Sequence, residues 1–360
     1  MTARTLLVMA GGTGGHVMPA LAVAERLRAE GWRVVWLGTH AGMEARLVVE
    51  KGFDMAWVKV AGVRGKSLLT QLLLPMNLLI AFWQAARAIF RERPDVALGM
   101  GGYVAFPGGM MASLLGKPLV IHEQNAIPGL TNRVLARLAD RVLTGFTLPA
   151  ALTLHPARQT WVGNPVRPEI AALPAPDERL AGREGPLRLL VIGGSLGAAA
   201  LNERIPKGLA LLPPEKRPQV RHQSGAKHLE SLRAHYAAAG VEADCLAFVD
   251  DMAQAYAWAD MVICRAGALT VAEVAASGSA ALFVPFPFAV DDHQTANARF
   301  LADAEAGWLQ PQSSFTPEFF AGWLSGMTRE ILLAHAQKAR ALAKPEATAS
   351  VANIIKELAT

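Results

Sequence analysis

The sequence predicts an α/β protein made of two Rossmann-like domains, each a doubly wound parallel sheet, facing a cleft. Three observations predict it. An apolar run, a glycine-rich turn and a helical stretch occur twice: TLLVMA (5–10) with GGTGGH (11–16), and LRLLVI (187–192) with GGSLGA (193–198), the opening unit of such a sheet. Short continuous apolar runs then alternate with helix-period segments, as strands covered on both faces do. The third observation is length, since 360 residues exceed one ordinary core.

In the first half a helix is expected over 18–30, starting near Pro19, followed by strands at 33–37, 95–98, 118–121 and 141–144. In the second half strands are expected at 219–223, 244–249, 261–264 and 280–284. Between 164 and 186 the chain carries Pro165, Pro168, Pro174, Pro176 and Pro186 and loses its hydrophobic periodicity. The expected domains are therefore 1–164 and 165–343. A terminal amphipathic helix within 344–360 is able to return to either domain, and is placed here on the first.

Hydrophobic residues make up 52% of the chain and charged ones 18%, the balance of a folded protein. Two cysteines, Cys245 and Cys264, cannot form a disulfide framework, and no C-x-x-C or His/Cys metal spacing exists, which points to a reducing compartment. One arginine and six apolar residues before the glycines are too little for a signal peptide. Charge is uneven. Residues 1–165 hold 17 Lys and Arg against 9 Asp and Glu (+8), while the remainder holds 18 against 21 (−3). The first half is thus expected to face something anionic. Nucleic acid is not the expected partner, because the basic residues are dispersed and no recognition motif accompanies them.

Residues 68–90, LLTQLLLPMNLLIAFWQAARAIF, carry one charge, Arg87, over 23 residues. The length matches a membrane span, but Gln71, Asn77 and Gln84 interrupt it, and a helix breaking at Pro75 leaves pieces too short to cross. Two readings remain. One is a helix buried against the sheet. The other is an apolar patch, with Leu72, Leu73, Leu79, Phe82 and Trp83 beside Arg64 and Lys66, dipping into an anionic membrane surface.

Glycine-rich turns before helices cradle phosphates, because bare N–H groups and the helix dipole both point at the ligand. Neither turn has G-x-G-x-x-G spacing, and no GK[ST] follows. A third cluster, GMGGYVAFPGG (99–109), includes Gly101, Gly102 and Tyr103. Next comes HEQN, in which His122, Glu123, Gln124 and Asn125 crowd the carboxyl end of a buried strand, where open α/β sheets bind ligands. Asn125 reads alternatively as a helix cap. In CRAGALTVAE (264–273), Glu273 stands about one turn into a helix among Val271, Ala272, Val274 and Ala275. A carboxylate so placed suits a ribose, with the helix amino terminus meeting a diphosphate.

These stretches, with RGK (64–66), VGNPVR (162–167), HQSG (222–225), FVDDM (248–252), YAWAD (256–260) and ALFVPFP (281–287), run in order along nearly the whole chain. Together they resemble glycosyltransferase family 28, the lipid II-forming glycosyltransferases of bacterial peptidoglycan synthesis. The resemblance implies a GT-B fold, with UDP-N-acetylglucosamine bound mainly by the second domain and lipid I, a polyprenyl-diphosphate-linked muramoylpentapeptide, by the first. It implies inverting transfer with no metal and no cofactor, at the cytoplasmic face of the cell membrane, alongside other cell-wall synthesis proteins. By the same resemblance Thr13, Gly14 and Gly15 lie beside donor sugar and diphosphate, and Asn125 contacts the transferred sugar. Arg167 and Ser195 hold phosphate or sugar. Val249 meets uracil through its backbone. Ala268, Leu269, Thr270, Val271, Ala272 and Glu273 hold phosphate and ribose, and Gln294 reaches the sugar hydroxyls. Gly101, Gly102, Tyr103, His122, Glu123 and Asn125 are expected on the acceptor side.

Two departures stand out. Leu196 replaces the glutamine usual in the second glycine turn, and residues 287–293 are longer and more apolar than the family pattern. His16 is the expected proton acceptor, since imidazole titrates near neutrality; its alternative role is to position phosphate. The rival functions are a UDP-sugar epimerase or another GT-B glycosyltransferase, a nicotinamide dehydrogenase, which the glycine spacing disfavours, and a non-catalytic nucleotide-sugar-binding module.

Overall fold

The structure is a computed structural model that describes residues 3–60, 74–194 and 197–359. The chain divides into two compact units, one of residues 1–166 and 345–360, the other of residues 167–344.

The first unit is built on a seven-stranded parallel sheet in the order β3-β2-β1-β4-β5-β6-β7. The strands are β1 (Thr5–Ala10), β2 (Arg33–Gly38), β3 (Asp54–Trp57), β4 (Val96–Gly101), β5 (Leu119–Glu123), β6 (Arg141–Thr144) and β7 (Gln159–Trp161). β1 shows why they read as unbroken apolar runs. Leu6, Val8 and Ala10 join one core layer while Leu7 and Met9 join the other, and all five are fully buried. A strand covered on both faces has no place for a polar residue.

The second unit repeats the plan with six parallel strands, β10-β9-β8-β11-β12-β13. These are β8 (Arg188–Ile192), β9 (Gln219–Gln223), β10 (Asp244–Leu246), β11 (Met261–Cys264), β12 (Ala280–Phe283) and β13 (Trp308–Leu309). In each sheet the strand order reverses beside the first strand of the unit, between β1 and β4 and between β8 and β11. Both glycine-rich turns leave the sheet there, at carboxyl ends of strands, where ligands of open α/β sheets bind.

The terminal helix, Ala347–Leu358, belongs to the first unit. Val351, Ala352 and Ile355 enter the core layer that holds Leu6, Val8 and Leu21, and Lys356 pairs with Glu30 at 2.8 Å.

Two expectations shift. The first long helix runs Gly14–Ala29 rather than 18–30, so Pro19 lies inside it and the second pair of glycines forms its first turn. Pro19 takes one ladder hydrogen bond out of this helix, which nevertheless buries Val17, Ala20, Leu21, Val23, Ala24 and Leu27. The described part of the oily stretch is one helix, Leu74–Glu92, which begins one residue before Pro75 and so carries it in its first turn. There the missing N–H has no helical partner to lose. Ala81, Ala85, Ala88 and Ile89 are its buried face. Met76, Leu79, Ile80 and Trp83 form an exposed apolar face, with Leu79 69% and Trp83 61% exposed. Among the described residues no helix is long and apolar enough to cross a membrane.

Candidate active site

In the first unit the turn after β1 is held from beneath by a buried carboxylate. Glu44 accepts a hydrogen bond from the Gly12 amide at 3.0 Å through Oε2, and from the Thr39 amide and hydroxyl through Oε1. The helix that follows has Thr13 as its cap residue, with no side-chain cap and no acidic residue in its first turn. Amides near Gly14 and Gly15 are therefore available to an anion.

The GMGGY cluster sits against this turn, and the contacts explain its glycines. A Cβ at Gly102 would fall 2.3 Å from the Gly11 carbonyl oxygen, and one at Gly101 would lie 2.8 Å from His16 Nδ1. Both have positive φ, 81° and 99°, which glycine alone adopts without strain. Gly101 and Gly102 let the end of β4 close on the loop and on the His16 ring. Tyr103 beside them is half exposed.

His16 Nδ1 is 2.9 Å from Gln124 Oε1. Gln124 Nε2 donates to the His122 carbonyl and stands 3.0 Å from His122 Nδ1, and His122 Nε2 reaches the Gly163 carbonyl at 2.9 Å. His122 is fully buried, and burial pulls its pKa down to about 4. Glu123 is buried as well. It accepts from the amides of Asn125 and Gly129 and from Asn132 Nδ2, tying the loop to the start of the Leu130–Leu135 helix. His122 and Glu123, expected on the acceptor side, thus have these polar atoms engaged within the first unit. Their polar atoms are spent inside the unit, because a charged or polar group at a buried strand end must be satisfied there. Asn125, half-buried, lies in the loop rather than at a helix cap, which Gly129 occupies.

In the second unit the helix Ala268–Ser277 starts directly after β11, with Gly267 as its cap residue and no side-chain cap. Glu273 is gripped from two sides, by Arg167 Nη2 at 3.1 Å and by the Tyr256 hydroxyl, which donates at 3.3 Å. Burial pushes its carboxyl pKa up, while Arg167 and Tyr256 pull it down. Gln294 Oε1 accepts from the Ala266 and Phe286 amides, so its amide nitrogen is the end left to donate. Arg265, under the same helix start, anchors its guanidinium on the carbonyls of Val284 and Pro285 and on Gln312. Ala268 and Val271 are buried, Leu269, Thr270 and Ala272 half-buried, and Val249 nearly buried. Asp251 caps the Met252–Trp258 helix through Gln254. The pair Asp291 and Asp292 sits in left-handed backbone, φ 53° and 52°, ahead of the helix that carries Gln294. Ser195, Arg64, Lys66, Leu72 and Leu73 lie outside the described residues. Phe82 packs edge-on against Phe106 with ring centroids 5.8 Å apart, half-buried rather than on the exposed face with Leu79 and Trp83.

The residues that sequence reasoning did not assign are Glu44, Gln124 as a link to His16, and Tyr256. Their significance comes from partners 17 to 108 positions away, beyond the reach of local pattern.

Residues 6–144 match the glycosyltransferase family 28 N-terminal domain, and residues 188–358 match the corresponding C-terminal domain. Two curated relatives carry the name UDP-N-acetylglucosamine–N-acetylmuramyl-(pentapeptide) pyrophosphoryl-undecaprenol N-acetylglucosamine transferase. The one from Dechloromonas aromatica is 60% identical over 99% of both chains. The one from Cupriavidus metallidurans is 62% identical over 100% of this chain and 99% of its own. Among solved structures, MurG of Acinetobacter baumannii superposes with a TM-score of 0.86 at 43% identity, covering 98% of this chain and 99% of its own. Two parallel-sheet units opened by glycine-rich turns, matched end to end by these relatives, place the chain in glycosyltransferase family 28.

Proposed function

We propose that the chain transfers N-acetylglucosamine from UDP-N-acetylglucosamine, with inversion, to the 4-hydroxyl of the muramoyl sugar of lipid I, giving lipid II. The observation that carries this reading is the identity of about 60% over essentially the full chain with enzymes named for that reaction. A UDP-sugar epimerase is the weaker reading, since the relatives described above at that level of identity are named as transferases.

In this reading the second unit takes the donor. Glu273 accepts hydrogen bonds from the ribose, the amides at the start of its helix meet the diphosphate, Val249 meets uracil through its backbone, and Gln294 donates to a sugar hydroxyl. Arg167 and Ser195 hold phosphate. The first unit takes lipid I, near Tyr103 and Asn125. The acceptor oxygen attacks the anomeric carbon from the face opposite UDP, and His16 takes the hydroxyl proton. The electron pair of the breaking bond leaves on the UDP phosphate, whose charge is met by backbone N–H groups and arginine.

The protein works as a peripheral partner of an anionic membrane surface, on its cytoplasmic side. The exposed face of the Leu74–Glu92 helix supports this, since contiguous exposed apolar side chains mark an interaction site.

Turnover of UDP-N-acetylglucosamine with and without a polyprenyl-linked muramoylpentapeptide tests the reading. Release of UDP that requires the acceptor, with a disaccharide-lipid product, is expected. Acceptor-independent conversion of the nucleotide sugar would overturn it in favour of an epimerase.

A further inference from the structure

The chain from His16 to Gly163 has a direction that the chemistry of its ends decides. A carbonyl only accepts, so His122 Nε2, 2.9 Å from the Gly163 oxygen, carries a proton. Burial keeps that ring neutral, so its Nδ1 carries none and must accept. The group facing it at 3.0 Å is therefore the amide nitrogen of Gln124, which also donates to the His122 carbonyl. A glutamine pinned by its nitrogen in this way turns its carbonyl oxygen outward, toward His16 Nδ1 at 2.9 Å. That oxygen again only accepts.

We infer that Gln124 and His122 are positioning residues that fix the tautomer of His16, holding the proton on Nδ1 and leaving Nε2 with its lone pair exposed to a substrate hydroxyl.

Two further contacts and the burial of Gln124 make the arrangement rigid. Asn164 Nδ2 donates to the Gln124 carbonyl at 3.0 Å, securing the backbone of the link. Gln124 itself is 1% exposed, so water does not compete for its amide. On the other side the His16 ring lies against Gly101, where a Cβ would sit 2.8 Å from Nδ1. No described residue bonds His16 Nε2. The logic is that of a catalytic triad, in which a third group selects the imidazole tautomer, but here a neutral amide and a neutral histidine do the work of a carboxylate. A neutral link orients the ring without adding a negative charge that would favour its protonated form.

The inference rests on His16 being the proton acceptor, and the test separates the two. Protein labelled with 15N at its nine histidines gives long-range nitrogen–proton spectra in which the two tautomers of each ring differ plainly; His16→Gln and His122→Gln identify the two sets of peaks. The expected result at pH 8, in unaltered protein without substrate, is a proton on Nδ1 of His16 and on Nε2 of His122. In Gln124→Met, His16 should move toward the Nε2-protonated form that free imidazole side chains favour, turnover should fall at least 10-fold, and the Michaelis constant for the donor should change less than 3-fold. A proton on Nε2 of His16 in the unaltered protein overturns the inference, and needs no variant to fold. So does a Gln124→Met protein whose His16 spectrum is unchanged. The base reading is judged apart from this by His16→Ala, expected to lose about 100-fold or more in turnover. If it does not, while the spectra are as expected, the relay stands as the device that sets the tautomer and the role of His16 in proton transfer falls.

Discussion

Glu273 shows how one side chain is made costly by its setting and then stabilised within it. It is an acid in a helix otherwise lined with Val271, Val274 and Ala275, and burial alone would favour its neutral form. Arg167, and then Tyr256, pull against that shift in part, and the pKa stays raised. Such a preset acceptor loses little on meeting a ribose hydroxyl, because its orientation is already fixed. A hydrogen bond to a charged group is worth about 1.5–3 kcal/mol. Glu273→Ala should therefore raise the Michaelis constant for UDP-N-acetylglucosamine roughly 10- to 150-fold, with that for lipid I nearly unchanged. Tyr256→Phe, which removes one of the two grips and leaves the ring packed, should follow in the same direction with a smaller effect. Steady-state kinetics with each substrate varied in turn decide this; equal shifts for both substrates would remove Glu273 from the donor site.

At the scale of elements, what could be read from the sequence follows burial. β1, β2, β8 and β11 were legible because strands covered on both faces can only be apolar. β3, β7 and β13 were not. Each is an edge strand of two to four residues with partly exposed side chains, so no period accumulates. The glycine turns were legible as turns. What fixes them was not, because Glu44 reaches Gly12 across 32 positions and Gln124 reaches His16 across 108. The oily helix was read as buried or as a membrane-facing patch, and its described part carries one buried and one exposed apolar face. Ala85 and Ile89 are core, whereas Leu79 and Trp83 project outward with Arg87 lying over the Trp83 ring at 5.6 Å. Withdrawing a large apolar side chain from water is worth about 1.5 kcal/mol or more. Leu79→Ser with Trp83→Ser should then weaken binding to anionic vesicles about 100-fold in a sedimentation assay, with the melting temperature of the protein unchanged. Activity on a water-soluble, short-chain acceptor should survive. A double variant that unfolds would show these side chains to be core, where each loss costs about 2–5 kcal/mol.

Across the whole molecule the two units share more than strand order, for each buries one neutral histidine at the end of its sheet. His122 lies at the carboxyl end of β5 and His222 in β9, the latter bonded to Asn202 and Tyr236. Burial lowers their pKa values to about 4 and about 3 respectively. In the unfolded chain both return to about 6.5. Between pH 6.5 and pH 4 the unfolded state therefore binds protons that the folded state refuses, so stability is complete above 6.5 and falls as the pH drops. At pH 5 each histidine sits roughly 1.5 pH units below its unfolded pKa, which corresponds to about 2 kcal/mol per residue. Glu273 works in the opposite sense, since its raised pKa lets the folded state take up a proton first, and it offsets part of the loss. Urea unfolding at pH 7 and at pH 5 should show a net loss of about 2–4 kcal/mol, with protons taken up on unfolding at the lower pH. His222→Gln keeps a group able to hydrogen-bond but not to titrate, and should roughly halve the difference between the two pH values whatever it does to stability at pH 7. Equal stability at both values would mean that water or a rearranged neighbour lets these rings protonate in place. The fixed neutral state of His122, on which the orientation of Gln124 depends, would fall with it.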